Sequence, residues 1–171
     1  MVIAYREDTT PVSRVEIAEQ HGAPEETLIQ HYAFDGLLQE RYHLALNKEL
    51  GTLSCFTGDE KEMRLVLQRQ FSPGELSVLM PLLDSFPYYC PYETLYASFY
   101  NGEVTEKIIE QSRRRLFWAQ EHGEWEAEMR PVRNVLSRTR IKLRAFGINV
   151  TSIIETGCVL RPVTKARTAH R

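Results

Sequence analysis

The sequence of 171 residues has few cysteines and no long hydrophobic run. Cys55, Cys90 and Cys158 are an odd number at wide spacing with no CxxC pair. This pattern argues against a disulfide framework and favours a reducing, cytoplasmic environment. The longest stretch without Asp, Glu, Lys or Arg is residues 145–154, about half of the ~20 residues that a membrane span needs. With no signal-peptide pattern at the N-terminus, the sequence predicts a soluble cytoplasmic protein without a membrane partner.

The patterns that carry common enzyme chemistry are also missing. There is no phosphate-binding glycine loop of the P-loop or dinucleotide type. The histidines are scattered, without the close spacing or the cysteine partners of a zinc site. We therefore predict no enzymatic activity, no metal and no cofactor. The five histidines are His21, His31, His43, His122 and His170.

Acidic residues are almost absent from the C-terminal quarter. Residues 130–171 contain ten Lys or Arg and one acid, Glu155, so this segment carries +9. Residues 1–129 hold the other 11 Lys or Arg and 22 acids, so the formal net charge of −2 conceals two oppositely charged parts. A block of one sign indicates either a polyanionic partner or a solvated basic face. Charge alone leaves both interpretations open.

Residues 1–41 are predicted to be an N-terminal helical segment. Two short runs of helical periodicity, within residues 11–40, flank the sequence "HGAP". Ala18, Gly22 and Leu28 have the spacing of a helix-turn-helix. A helical hairpin that is structural or binds a partner fits as well, because the segment is acidic.

Residues 42–102 change to a strand-rich pattern followed by helices. "YHLAL", "TLSCF" and "MRLVL" predict three strands. Ser72 as N-cap, Pro73 at the first helical position and Glu75 three residues after the cap predict a helix with a capping box. A second helix is predicted to start at Pro91 and to end before Gly102.

Residues 131–146 predict an amphipathic helix that is basic on its outer side. Its apolar stripe contains Val132, Val135, Leu136, Thr139, Leu143 and Phe146. The outward face has no acid but includes Asn, Ser and Ile, which are residue types that contact base edges in DNA. After Gly147, "INVTSII" and "CVLRP" predict a hairpin around "ETG".

The ordered set of strands, "FSPGELSVL", "CPYETLYASFYNG", basic helix and hairpin resembles the OmpR-type winged-helix domain of bacterial response regulators. The likeness covers residues 42–162, before a basic tail at residues 163–171. Thr139 replaces a leucine of the family's recognition helix, and "ETGCVL" lacks the first Gly and the Tyr of its wing. The fold class implied is α+β: a winged helix-turn-helix with a small N-terminal antiparallel sheet, preceded by a short helical hairpin. Residues 1–41 are too few for the family's receiver domain.

The function implied is a transcription regulator that binds double-stranded DNA sequence-specifically. Helix 131–146 would lie in the major groove, and the wing, residues 148–161, on the adjacent backbone or minor groove. A homodimer on DNA is compatible with this function. The residues predicted to face bases are Arg133, Asn134, Ser137, Arg138 and Ile141. Those predicted to hold phosphates or the minor groove are Arg140, Lys142, Arg144, Thr151, Thr156 and Arg161.

An insertion with its own predicted helix, at residues 103–128, separates the second helix from the basic helix. The equivalent loop of the resembled family can contact RNA polymerase, so the insertion implies an altered contact with polymerase or another partner. In the other interpretation, the insertion has only a structural role in the fold. The alternative function is accordingly a protein-interaction adaptor with weak or secondary DNA binding. The candidate partner-binding residues are Arg113, Arg114, Trp118 and Glu121.

Overall fold

A computed structural model describes residues 28–59 and 61–164 of the chain. This part of the chain is a mixed α+β structure with four helices and two small antiparallel sheets, which confirms the predicted class. The elements in chain order are β1 (Ile29–Tyr32), β2 (Tyr42–Asn47), β3 (Thr52–Thr57), β4 (Arg64–Gln70), α1 (Pro73–Ser85), β5 (Cys90–Pro91), α2 (Tyr92–Asn101), α3 (Glu106–Glu121), α4 (Trp125–Arg144), β6 (Ile148–Ile153) and β7 (Gly157–Pro162).

The N-terminal sheet has the strand order β1-β2-β3-β4. Its last three strands confirm those predicted from "YHLAL", "TLSCF" and "MRLVL". Leu44 lies opposite Cys55, and Leu46 lies opposite Leu53. All four side chains are buried, so these cross-strand pairs give the sheet an apolar face on the core.

The sheet begins earlier than the predicted boundary at residue 42. Residues 29–32, expected to belong to the second helix of the N-terminal hairpin, form β1 and pair with β2. The apolar residues Leu28, Ile29 and Tyr32 fit a helical period, but ladder hydrogen bonds to β2 stabilise the extended backbone instead. The helix prediction is wrong for these four residues. The rest of the predicted helix-turn-helix, before residue 28, lies outside the described residues.

Helix α1 begins with the predicted capping box. The Glu75 backbone N–H donates to Ser72 Oγ at 3.2 Å, and the Ser72 N–H donates to Glu75 Oε2 at 2.9 Å. These two bonds satisfy amide donors that a helix N-terminus leaves unpaired. Helix α2 follows Pro91 and ends at Gly102, whose φ of 71° is the left-handed C-cap conformation. The predicted end of α2 is confirmed, and its start lies one residue later than predicted, because Pro91 is the N-cap and pairs in β5.

Helix α4 is longer than predicted. It starts at Trp125, six residues before Pro131, and ends at Arg144. Pro131 is tolerated inside its second turn, and the acids Glu126 and Glu128 occupy the first turn, where the helix dipole favours negative charge. The predicted apolar stripe is confirmed as buried. Its members are Val132, Val135, Leu136, Thr139, Leu143 and Phe146.

The second sheet has the order β5-β7-β6, and β6 with β7 forms the predicted hairpin. Strand β5 pairs Cys90 with Cys158 and Pro91 with Gly157. A Cβ at Gly157 would lie 2.0 Å from the Cys90 carbonyl oxygen, so only glycine allows this approach. The contact fixes the hairpin to the start of α2. Each helix of the described part of the chain is too short or too polar to cross a membrane.

Candidate nucleic-acid interface

The central strip of α4 faces solvent. Asn134, Ser137, Arg138, Ile141 and Arg144 recur at helical spacing, and all five are exposed. Ile141 is 70% exposed although it is aliphatic. The strip contains no acid, and it combines a guanidinium group, an amide, a hydroxyl and a methyl-bearing side chain. These groups match the donors, acceptors and methyl groups of base edges in the major groove.

Two further predicted arginines lie on the side of α4 that faces the β6–β7 hairpin. Arg140 Nη2 donates to Ser152 Oγ of β6 at 3.1 Å. Arg133 Nη1 donates to Glu126 Oε2 at 2.5 Å, about two turns of helix further towards the N-terminus. A groove of about 480 Å³ runs between α4 and the hairpin, and both arginines line it. Arg140 therefore connects helix and hairpin, and Arg133 is held by an acid.

On the opposite side of α4, Lys142 is engaged in the fold. Its Nζ donates to Glu75 Oε2 at 2.5 Å and to the Gln70 carbonyl oxygen at 2.8 Å. Arg138 Nε lies 3.7 Å from Glu75 Oε1. Burial alone would raise the pKa of Glu75, but the hydrogen bonds from Lys142 and Ser72 and both cations hold that pKa below its ordinary value. Lys142 thus joins α4 to α1, and its predicted phosphate contact stays a prediction.

The tip of the hairpin is more apolar than the predicted contact residues, which are all polar. Among the predicted residues, Arg161 is exposed and Thr151 is half-buried. Thr156 Oγ1 donates to the Ile154 carbonyl oxygen within the turn at 3.0 Å. Ile154 itself is 87% exposed, yet it was not among the predicted site residues. The signal that could have found it is an isoleucine placed directly before a turn, where polar residues are usual.

The candidate partner-binding residues lie on α3. Arg113 and Arg114 both donate to Glu110, at 2.6 and 3.1 Å. Trp118 is 43% exposed, and its ring stacks on His122 with 4.1 Å between centroids. Glu121 is exposed. The two arginines are thus paired with a neighbouring acid, as expected for a solvated helix face, whereas Trp118 exposes aromatic surface.

A polar cluster attaches this inserted helix to its neighbours. Arg115 of α3 donates both Nε and Nη2 to the carboxylate of Glu128 in α4, each at 3.0 Å. The Tyr96 hydroxyl of α2 donates to the same carboxylate. These hydrogen bonds hold the pKa of Glu128 below its ordinary value. Because one acid binds donors from two other helices, α3 has a fixed position relative to α4.

The described residues contain no group of three or more His, Cys, Asp or Glu side chains that could hold a metal ion. Cys55, Cys90 and Cys158 are buried, and burial raises the pKa of the Cys90 thiol to about 12.

No family model, curated protein or solved structure matches the chain.

Proposed function

We propose that the chain is a sequence-specific double-stranded DNA-binding protein of the winged-helix type that regulates transcription. Helix α4 is the recognition helix, and the β6–β7 hairpin is the wing. The element order supports this assignment, because strands, α1, α2, a basic helix and a hairpin directly after it follow one another as in the resemblance to the OmpR-type domain. The inserted α3 is the main departure from it.

The observation that carries the proposal is the exposed, acid-free strip of α4. An α-helix fits the major groove, which is about 12 Å wide. In that position Arg138 would donate to a guanine, Asn134 would bind an adenine, and Ile141 would contact a thymine methyl group. A solvated helix face normally mixes acids with bases, whereas this strip has two arginines and no acid.

Residues at the edges of this strip would contact the DNA backbone. Arg144 and Arg161 are exposed and suit phosphate contacts. Arg133 and Arg140 line the groove between α4 and the hairpin, where a backbone strand would pass. Ile154 at the hairpin tip has the apolar, protruding character of side chains that enter the minor groove.

Binding to DNA is tested with purified protein and a random duplex at increasing salt. Affinity should fall as salt rises, and each phosphate contact should make the slope of log K against log salt more negative by ~0.9. Selection from a random DNA pool then gives the preferred site. On that site, Asn134→Ala or Arg138→Ala should each cost ~1–3 kcal/mol and relax one or two base positions. Arg144→Ala should weaken all sequences about equally.

Arg114→Ala is the matched control, because it removes the same charge from an exposed position on α3 and should leave DNA affinity unchanged. A flat salt dependence with no enriched sequence would contradict the proposed function. If the Asn134, Arg138 and Arg144 variants lose affinity equally for every sequence, then the protein binds DNA but α4 does not read bases.

A second candidate function, an interaction adaptor, is favoured by the exposed Trp118 on α3. An exposed tryptophan is a common centre of protein–protein interfaces. The partner would be RNA polymerase or another regulator. Arg114→Glu together with Trp118→Ala should then preserve DNA affinity and lower regulated transcription. Unchanged transcription would leave α3 with a structural role only.

A further inference from the structure

A pocket separate from the exposed strip of α4 lies beside the inserted helix. It has a volume of about 350 Å³ and is formed by the start of α2, the second half of α3, the start of α4 and the turn of the hairpin. Its aromatic lining consists of Tyr92, Phe117 and Trp125, with Leu116 between them. The rings of Tyr92 and Trp125 meet edge to face at 5.8 Å between centroids. This size and lining are typical of small-molecule sites.

The charged groups at this pocket are mostly carboxylates. Glu93, Glu126 and Glu155 line it, whereas Arg113 is the one cation that the described part of the chain adds to its lining. Arg113 is already bound to Glu93 at 3.4 Å and to Glu110 at 2.6 Å. No ion pair of Glu155 is found within the described residues. The pocket therefore has an excess of negative charge next to aromatic faces.

Two residues of the lining, Phe117 and Glu155, are exposed to solvent and accessible to a ligand. Phe117 is 63% exposed, which leaves a large apolar ring in water. Glu155 has a φ of 55°, a left-handed conformation that glycine or asparagine adopts at lower cost. Glu155 is also the only acid in residues 130–171. Glu155 lies in the turn between β6 and β7, where a left-handed residue is common, and the turn brings its carboxylate to the pocket.

We propose that this pocket binds a small organic cation, namely an alkyl- or arylammonium compound. The faces of the aromatic rings attract an ammonium group through their quadrupoles. The Glu155 carboxylate supplies the counter-charge, and the ring of Phe117 covers the alkyl groups. A neutral ligand of the same shape would gain only the apolar contact. The inference goes beyond DNA binding, because ammonium binding can be measured without nucleic acid.

The pocket adjoins the groove between α4 and the β6–β7 hairpin. Tyr92, Trp125, Glu126 and Glu155 line both cavities. Glu126 accepts a hydrogen bond from Arg133, so a cation beside Glu126 would compete with that arginine. A bound ligand is thus expected to release Arg133 towards DNA. This consequence, unlike binding itself, rests on the proposed function.

Choline and its uncharged isostere 3,3-dimethylbutan-1-ol are the probes. The protein has two tryptophans, so the Trp118→Phe variant leaves Trp125 as the sole tryptophan reporter inside the pocket. At constant ionic strength, choline should change the Trp125 fluorescence saturably, with at least tenfold tighter binding than the alcohol. Glu155→Gln and Phe117→Ala should each weaken choline binding at least fivefold. Glu103→Gln, the same change at an exposed residue outside the pocket, should have no effect.

Equal binding of choline and the alcohol would overturn the inference, because the pocket would then be merely apolar. Absence of saturable binding to the Trp118→Phe protein would overturn it as well, provided that circular dichroism shows a native fold. Equal effects of Glu155→Gln and Glu103→Gln would indicate unspecific attraction to the acidic surface and would equally contradict it. None of these outcomes depends on DNA, so failure here leaves the DNA-binding proposal to be decided by its own experiment.

Discussion

The substitution Glu75→Gln tests how the candidate recognition helix is held against α1. Glu75 is only 4% exposed. Its Oε2 accepts hydrogen bonds from Lys142 Nζ at 2.5 Å and from the Ser72 N–H at 2.9 Å. Glutamine keeps one acceptor oxygen and nearly the same volume, but it removes the negative charge between Lys142 and Arg138. The variant therefore isolates the electrostatic part of the contact.

The expected loss of stability in Glu75→Gln depends on the hydrogen bonds that the variant keeps. A hydrogen bond to a charged group contributes ~1.5–3 kcal/mol, and glutamine retains part of it. Lys142 keeps its hydrogen bond to the Gln70 carbonyl oxygen at 2.8 Å, so its ammonium group is not left unpaired. We expect Glu75→Gln to lower the free energy of unfolding by ~1–2 kcal/mol. Glu75→Ala should cost ~2–4 kcal/mol, because it also removes one side of the capping box.

The pH dependence gives a second, independent check. The pKa of Glu75 is lower in the folded protein than its ordinary value of about 4.5. The stabilisation is therefore fully present above pH 4.5 and is lost as the pH falls through the lower, folded-state pKa. The difference in free energy of unfolding between the wild type and Glu75→Gln should be largest near neutral pH and should shrink below pH 4.5.

Urea unfolding at pH 7 and at about pH 3.5, followed by circular dichroism, measures both quantities. Glu103→Gln is the control, because an exposed position should change stability by less than ~0.5 kcal/mol. A Glu75→Gln variant as stable as the wild type at pH 7 would contradict a stabilising role of the Glu75 charge. The same difference in stability at both pH values would contradict it equally.

Three single contacts give further expected outcomes. Leu143→Ala should lower the free energy of unfolding in urea by ~2–5 kcal/mol, because Leu143 is fully buried; a negligible loss would mean that α4 is rotated. Glu126→Gln should raise DNA affinity in a binding titration about two- to fivefold by releasing Arg133, but not when Arg133 is also alanine. Gly157→Ala should cost ~1–3 kcal/mol, since its Cβ would meet the Cys90 carbonyl oxygen; an unchanged melting temperature would contradict the contact.

The parts of the fold that were predictable from the sequence depend on local chemistry. The capping box of Ser72 and Glu75 involves residues three positions apart, so the sequence contains both partners of the contact. Gly102 ends α2 because the left-handed conformation after a helix favours glycine. The apolar stripe of α4 follows from the helical period alone. Each of these predictions is confirmed.

The parts that were missed depend on partners distant in sequence. Residues 29–32 have helical spacing but pair with β2, and ladder formation decides their conformation. The ion pair of Lys142 with Glu75, which lies 67 residues away in the chain, was not predicted. No periodicity within α4 could reveal that ion pair. The early start of α4 at Trp125 was hidden because Pro131 is a typical first residue of a helix.

Some of the outward-facing residues of α4 have an evident role in folding, and others do not. Glu126 and Glu128 lie at the N-terminus and Lys142 and Arg144 at the C-terminus, as the helix dipole favours. Arg133, Arg140 and Lys142 make hydrogen bonds within the protein. Folding gives no comparable reason for the middle strip of Asn134, Ser137 and Ile141. The DNA-binding proposal accounts for Asn134 and Ile141 as base contacts, whereas Arg138, its third base contact, also lies 3.7 Å from Glu75 Oε1.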